Sequence, residues 1–448
     1  MSLFAAATHR LLAVLAVLSL FLVVWGCVRA PEGEQPAGYE MLSQRQARRV
    51  AAELRPQAQG LASWTDLAPA LDRSIAYAMR RPCDEPAVNQ PDLRLTWDEL
   101  LRSLVELRGL LPRLDAEPEL LAERFAFLTV RPHTLLTGYY EPWLKASLTP
   151  AEGYPYPLYG VPSDLKTVDL GRFHPRWKGQ QLVYRMTPDG IQPYPDRRDI
   201  DMQGALFDKA EILAWAADPV DVFFLQIQGS GRLELPDGTT RHILYAGKNG
   251  RQYVSLGRAL VDRGLMSRDE VSMQRIRAFL DSRPEAMPEL LALNPSYVFF
   301  HLADDGPYGS MNAALTPMVS AAVDRHFSAL GAALVVETRL PVRTDPVATG
   351  PNGPNGVDGR DAQSDGDGSP DGAAAPAPAD DGTALRPPEE RPFTGLVLAQ
   401  DTGGAIKATR MDLFCGSSPE AEFLAGHLQS EAAVHLLVSR AVLVGRDK

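Results

Sequence analysis

Cysteine is scarce: Cys27, Cys83 and Cys415 are the only three in 448 residues. No zinc or redox spacing links them, so metal-cluster and dithiol chemistry find no support. Catalytic histidine motifs are missing too. Neither His-Glu-x-x-His nor Gly-x-Ser-x-Gly occurs, which argues against metalloprotease and serine-hydrolase sites. Gly-x-Gly-x-x-Gly and the P-loop spacing are absent as well, so the glycine-rich stretches are not phosphate loops. Positive charge is short, with 45 Lys+Arg against 56 Asp+Glu and a net of −11. Such a chain has no general field for nucleic acid or anionic lipid. What remains is ordinary globular composition, 45% hydrophobic and 23% charged. At roughly 150 residues per domain, the length suggests two or three domains.

The negative charge is uneven. Between Val342 and Pro392 stand ten acidic residues, four Arg, nine Pro and eight Gly. This stretch therefore holds −6 of the −11, and it has too little apolar surface to offset the entropy of ordering. It interrupts two strand-like runs and reads as a disordered loop inserted in a hairpin.

The N-terminus reads as a targeting signal. Arg10 precedes an almost wholly apolar run, Leu11 to Trp25, too short at ~1.5 Å per residue for a ~30 Å hydrocarbon core. Gly26-Cys27 follows, similar to a bacterial lipobox in which Cys27 is lipidated; the other reading is an uncleaved signal anchor. Val28, rather than Asp, favours sorting to the outer membrane. Residues 28–38 form a solvated tether. Cys83 and Cys415 either pair in an oxidising compartment or stay as two buried thiols.

From Tyr39 to about Val130 the pattern is helical, with Leu100, Leu101, Leu104, Leu107 and Leu111 at helical spacing and Thr96/Glu99 as a capping box. From Leu135 on, short apolar runs (Val222–Ile227, Val298–Leu302, Ala332–Val336, Gly395–Ala399) alternate with Gly, Pro and Asp. This predicts strands and a β-rich barrel pair.

Three constellations could carry chemistry. Leu136-Thr137-Gly138-Tyr139-Tyr140-Glu141-Pro142 suits a carbohydrate site, or a plain strand with core tyrosines. In Phe223 to Gly231, alternation sets Phe224, Gln226 and Gln228 on one strand face, ahead of Gly229-Ser230-Gly231 and Tyr245-Ala246-Gly247-Lys248-Asn249-Gly250. Asn249-Gly250 could equally be a hairpin turn. In the third, Asp401 stands in Gln400-Asp401-Thr402-Gly403-Gly404, and Asp412 lies among Met411, Leu413 and Phe414. An apolar setting raises a carboxyl pKa, and a protonated acid near a second carboxylate is what glycoside cleavage requires. Asp-Thr-Gly also matches the aspartic-protease tripeptide, but no second copy exists.

Taken in order, these pieces with Tyr156-Pro157-Leu158-Tyr159, Asn294 to Phe300 and Asp401 to Lys407 resemble the membrane-bound lytic murein transglycosylase A (MltA) family over roughly Leu136 to Gly426. The C-terminal part resembles its 3D domain, named for three aspartates, here Asp324, Asp401 and Asp412. The resemblance implies a mainly β fold with N-terminal helices: a double-psi β-barrel, a smaller inserted β-barrel, and a groove between them for the glycan strand. It divides the chain into a signal peptide (1–26), a tether (27–38), N-terminal helices with the first barrel segment (39–140) and the inserted barrel (141–302). The 3D barrel segments follow (303–341 and 393–430), separated by the acidic insert (342–392) and ending in a C-terminal segment (431–448).

It implies a lyase cutting the MurNAc–GlcNAc bond of peptidoglycan with 1,6-anhydro ends, Asp412 as the catalytic acid and Asp401 as its support. Thr137, Tyr139, Tyr140, Gln228, Gly229, Ser230, Lys248, Asn249, Asp324 and Lys407 would contact substrate. No cofactor or metal is implied. The expected partners are glycan strands and, through lipidated Cys27, the periplasmic face of the bacterial outer membrane; proteins of cell-wall synthesis or division stay open. The chain departs from the family pattern between Cys415 and Gln429, at Ala329-Leu330-Gly331, where Pro is expected before Gly, and at Ala408 in place of Gly. The altered tail keeps a second reading open, a non-catalytic glycan-binding or scaffold lipoprotein on the same fold.

Overall fold

The computed structural model describes residues 37–268, 271–343 and 388–444. The signal peptide, Cys27, nearly all of the tether and most of the acidic insert lie outside the described residues. The N-terminal part contains β1 (Gly38–Met41), α1 (Gln44–Glu53), α2 (Ala68–Met79), β2 (Pro86–Asn89), β3 (Arg94–Thr96), α3 (Trp97–Leu114), α4 (Glu119–Arg124), β4 (Phe125–Arg131) and β5 (Thr134–Tyr139). The middle contains β6 (Trp143–Ser147), β7 (Tyr156–Tyr159), β8 (Lys166–Asp169), β9 (Gln181–Thr187), β10 (Gly190–Pro193), α5 (Arg197–Gln203), β11 (Ile212–Ala216) and α6 (Pro219–Gln228). It continues with β12 (Ser230–Glu234), β13 (Thr240–Lys248), α7 (Leu256–Asp262), α8 (Met273–Asp281), α9 (Met287–Leu291) and β14 (Val298–Ala303). The last part holds β15 (Ser320–Val323), β16 (Ala333–Val342), β17 (Glu389–Asp401), β18 (Met411–Phe414), α10 (Pro419–His427), β19 (Gln429–Ser439) and α11 (Arg440–Val444).

Six strands close on themselves in the order β5-β18-β15-β17-β16-β19, because β19 pairs back to β5; β4 and β1 extend the sheet beyond β19. The pairs β15–β17 and β18–β5 are parallel, in the double-psi barrel expected from the sequence. Its strands read as continuous apolar runs because they are covered on both faces. Leu334, Val335, Val397 and Leu398 are all buried, in one cluster with Leu100, Leu104, Leu107 and Leu111 of α3. The capping box that starts α3 is present: Glu99 N donates to Thr96 Oγ1 at 3.3 Å and Thr96 N to Glu99 Oε2 at 2.8 Å, a cap worth about 1 kcal/mol. Two boundaries move. The β16–β17 ladder runs out to Val342 and Glu389, so the acidic insert is narrower than 342–392. The barrel also continues past residue 430, since β19 reaches Ser439 and supplies the closing pairings.

The middle part forms a second six-stranded sheet, β14-β13-β12-β6-β11-β7. A parallel bridge between Gly160 and Phe300 brings its two ends together, and a three-stranded sheet β8–β10 is appended. Residues 222–227 correct the strand reading, because they belong to helix α6. Asp218 caps it by accepting Val220 N at 2.7 Å, Pro219 takes the first turn, and Gly229 ends it in the left-handed region at φ 85°. The alternation of Phe and Gln is therefore not a two-faced strand: Phe223, Phe224, Leu225 and Gln226 are all buried. The helical reading of Tyr39–Val130 is also interrupted, by β1 to β4. Cys83 is exposed and Cys415 buried, and both are free.

Candidate active site

Register builds the site. Ala322 of β15 pairs with Asp401 on one side and with Asp412 on the other. Asp412 pairs in turn with Thr137, and Thr137 with Gln429. Residues in register point to one face, so Asp401, Ala322, Asp412, Thr137 and Gln429 form a row across five strands. Their neighbours Gln400, Ala321, Leu413 and Leu136 are buried on the opposite face. Gln400 locks β17 there, donating to Ala70 O at 2.7 Å and Ser74 Oγ at 2.9 Å while accepting Ser320 Oγ at 2.7 Å. Ala322 leaves no bulk between the two carboxyl groups.

The two acids are held differently. Asp401 accepts four hydrogen bonds: Ser310 N, Ser310 Oγ and Thr402 N on Oδ1, each at 2.8 Å, and Tyr139 O–H on Oδ2 at 3.0 Å. Loss of water raises its pKa against these donors. Tyr139, half-buried beside both aspartates, has its own pKa pushed well above the usual phenol value and stays a donor. Asp412 accepts one side-chain hydroxyl, Thr137 Oγ1 at 2.8 Å. Burial pushes its pKa up to about 6, Thr137 and the nearby Arg410 guanidinium pull it down, and the charge of Asp401 adds to the rise. Arg410 Nε is buried without a hydrogen-bond partner. Tyr253, from the loop after β13, is close enough to Arg410 to sense its charge. The inserted barrel thus reaches over the β17–β18 turn.

The expected site residues divide. Thr137, Tyr139, Asp401 and Asp412 come together. Asp324 braces them, accepting His326 N at 3.0 Å and Ala408 N at 2.9 Å. Ala408 sits at φ 53°, the left-handed conformation that explains why a glycine was expected there. Lys407 is exposed in the same turn. The other residues are not part of that row. Tyr140 is buried with Cys415 and Ala421, and its N–H donates to Gln228 Oε1 at 3.1 Å. Gly229 ends α6 and Ser230 opens β12; a side chain at Gly231 would meet Pro142 O at 2.9 Å. Asn249 is no hairpin turn and has no free group for substrate. It is buried, donating to Pro195 O and Pro295 O and accepting Tyr297 N, each at 2.9 Å. Lys248 lies exposed at the end of β13. Sequence reading missed Ser310, which clamps Asp401 from 91 residues away; only the tertiary fold carries that signal.

Comparison with known proteins agrees with this fold. The model of the MltA specific insert domain matches residues 135–301, and that of the 3D domain matches residues 374–438. The chain is 30% identical over 298 residues to membrane-bound lytic murein transglycosylase A of Vibrio cholerae, covering 66% of this chain and 62% of that protein. It is 31% identical over 293 residues to the Escherichia coli K12 protein of the same name, covering 65% of this chain and 61% of the relative. The matches thus span about three fifths of these relatives' length. The crystal structure of a membrane-bound lytic murein transglycosylase from Agrobacterium tumefaciens is 28% identical, with a TM-score of 0.66, covering 92% of this chain and 100% of that one. Insert model on the second barrel, 3D model on the barrel that bears the aspartates: the chain belongs to the membrane-bound lytic murein transglycosylase A family.

Proposed function

We propose that the protein is a peptidoglycan lytic transglycosylase that cleaves the β-1,4 bond between MurNAc and GlcNAc and leaves 1,6-anhydro-MurNAc ends. The observation that carries this reading is Asp412, an acid with a pKa of about 6 and a single neutral hydroxyl for a partner. Such a group still holds a useful fraction of its proton near neutrality. The proton passes from Asp412 to the glycosidic oxygen, the C1–O bond breaks, and the GlcNAc chain leaves as an alcohol. Positive charge on the MurNAc ring is balanced by the carboxylate now at Asp412. That carboxylate takes the proton of the MurNAc C6 hydroxyl, whose oxygen closes on C1, and Asp412 ends the cycle protonated.

Water is not consumed, and the second step gains from being intramolecular. Asp401 does not need to act as a base toward water, since both of its oxygens already accept hydrogen bonds. Its role is to hold negative charge beside the acid and to keep the row in place. The substrate is the glycan strand of the cell wall, and lipid on Cys27, the new N-terminus once the signal peptide 1–26 is removed, tethers the protein to the periplasmic face of the outer membrane. Purified protein incubated with murein sacculi, with the products weighed by mass spectrometry, tests the reading. Anhydro-muropeptides are expected; products carrying an added water would make the protein a hydrolase, and no products would make it a binding or scaffold protein.

A further inference from the structure

The second barrel carries a row of its own. Trp143 of β6 pairs with Arg232 of β12, and Arg232 with His242 of β13. The neighbours Leu144, Leu233 and Ile243 point into that barrel's core, so Trp143, Arg232 and His242 point out of it. They point toward the catalytic barrel, because Trp143 Nε1 donates to Ser417 O at 2.9 Å, just past the strand that bears Asp412. A short segment links the two rows: β5 ends at Tyr139 and β6 begins at Trp143, with Tyr140, Glu141 and Pro142 between them. At ~3.3 Å per residue, Trp143 stands at most about 20 Å beyond Thr137, within the span of a short oligosaccharide.

We infer that Trp143, backed by Arg232, is a sugar-stacking platform for the glycan strand on the wall opposite Asp412; this rests on the glycan-cleaving reading above. Trp143 is 47% exposed in a row with Arg232 and His242, and three features hold it still. Its N–H is tied to Ser417 O. The Arg232 guanidinium lies over the ring, 5.3 Å from its centroid. Arg232 in turn is fixed by Glu141, whose side chain is 0% exposed and accepts Arg232 Nε at 2.8 Å and His242 Nδ1 at 2.9 Å. Glu141 N also donates to Gly416 O at 2.8 Å, so the same residue ties the platform to the catalytic barrel. An aromatic ring with one face backed by a cation and its edge satisfied offers its remaining apolar surface to the C–H face of a pyranose. Little conformational freedom is left to lose on binding. The ligand class is an N-acetylated aminosugar oligomer, met here through the uncharged C–H face of its pyranose rings.

The test uses the N-acetylglucosamine hexamer for binding by calorimetry and soluble uncrosslinked glycan strands for kinetics, with a melting curve for each variant. Trp143→Ala is expected to weaken hexamer binding about tenfold and to raise KM by a similar factor with kcat lowered less than twofold. Trp143→Phe, which keeps a ring but loses the bond to Ser417, stays within about threefold of wild type. Arg232→Lys, which keeps the charge toward Glu141 but loses the plane over the indole, weakens binding about threefold. Wild-type binding in Trp143→Ala, or an equal loss in Trp143→Phe, overturns the platform while leaving cleavage of sacculi by wild type intact. If Trp143→Ala does not fold, Trp143→Phe and Arg232→Lys decide the question. Wild type that neither binds the hexamer nor cleaves sacculi sinks both readings.

Discussion

Asp412 and Glu141 are both carboxyl groups drawn out of water, and Glu141 follows Thr137, the strand partner of Asp412, by four residues, yet their surroundings treat the two acids oppositely. Glu141 lies in the second barrel between Arg232 and His242, two groups that can carry positive charge. Asp412 lies in the first barrel with one neutral hydroxyl, and its pKa rises to about 6. Burial alone does not make an acid. Burial without a cationic partner in hydrogen-bond contact does. One carboxylate is thereby committed to structure and the other is left free to hold and release a proton.

The largest effect that would sharpen this contrast is loss of chemistry. Asp412→Asn is expected to cut anhydro-muropeptide release at least about a thousandfold, as removal of a general acid does. Binding of the hexamer should survive; full activity in this variant would remove Asp412 from the reaction. Glu141→Gln should act on the other quantity. It leaves Arg232 facing a neutral amide across a buried site, and a loss of about 2–4 kcal/mol in denaturant unfolding is expected. A Glu141→Gln protein as stable as wild type would show that the buried charge does not hold the second barrel together.

Stability gives a second, signed test of Asp412. Its pKa is about 6 folded and about 4 unfolded, so the folded state binds the proton more tightly. The stability that comes from keeping the proton is fully present below about pH 4, and it is lost as pH rises through 6. Asp412→Asn, which has no proton to lose, should therefore be more stable than wild type by about 1–3 kcal/mol at pH 7.5, with the difference vanishing below about pH 4. Equal stability at both pH values would mean that the acid is not poised by its surroundings.

How much of this was legible in the sequence depends on how far apart the partners lie. Asp412 stood out because Met411, Leu413 and Phe414 adjoin it. The barrel strands Val298–Leu302 and Gly395–Ala399 stood out as apolar runs between breakers. Helix α6 was misread although Asp218, Pro219 and Gly229 mark its two ends; the alternation of Phe224, Gln226 and Gln228 imitated a strand period in a helix whose Phe223, Phe224, Leu225 and Gln226 are all buried. The partners of Glu141 lie 91 and 101 residues away, and Ser310 lies 91 from Asp401. Contacts of that range depend on barrel closure and register, so no local pattern announces them. The Gln-Gly-Ser-Gly segment looked like a ligand site because glycine serves close backbone approach to substrate and to protein alike.

The smallest expected effect separates the acid from its single hydroxyl partner. Thr137 O–H donates to Asp412 at 2.8 Å, and a donor to the ionised form lowers the pKa. Thr137→Val keeps the shape of the side chain and removes the donor, so the pKa of Asp412 should rise above its present value of about 6. Activity that needs the protonated acid falls as pH rises through that pKa, and the alkaline limb of kcat/KM should therefore move to higher pH by about half a unit to one unit. At pH 7.5 the variant would hold its proton more often than wild type, while losing the bond that aims the carboxyl group along the row. A displaced limb with a lower maximum is the expected profile. A limb that stays in place with only the maximum lowered would assign Thr137 to substrate contact, and the tuning of the acid would then rest on burial, Arg410 and Asp401 alone.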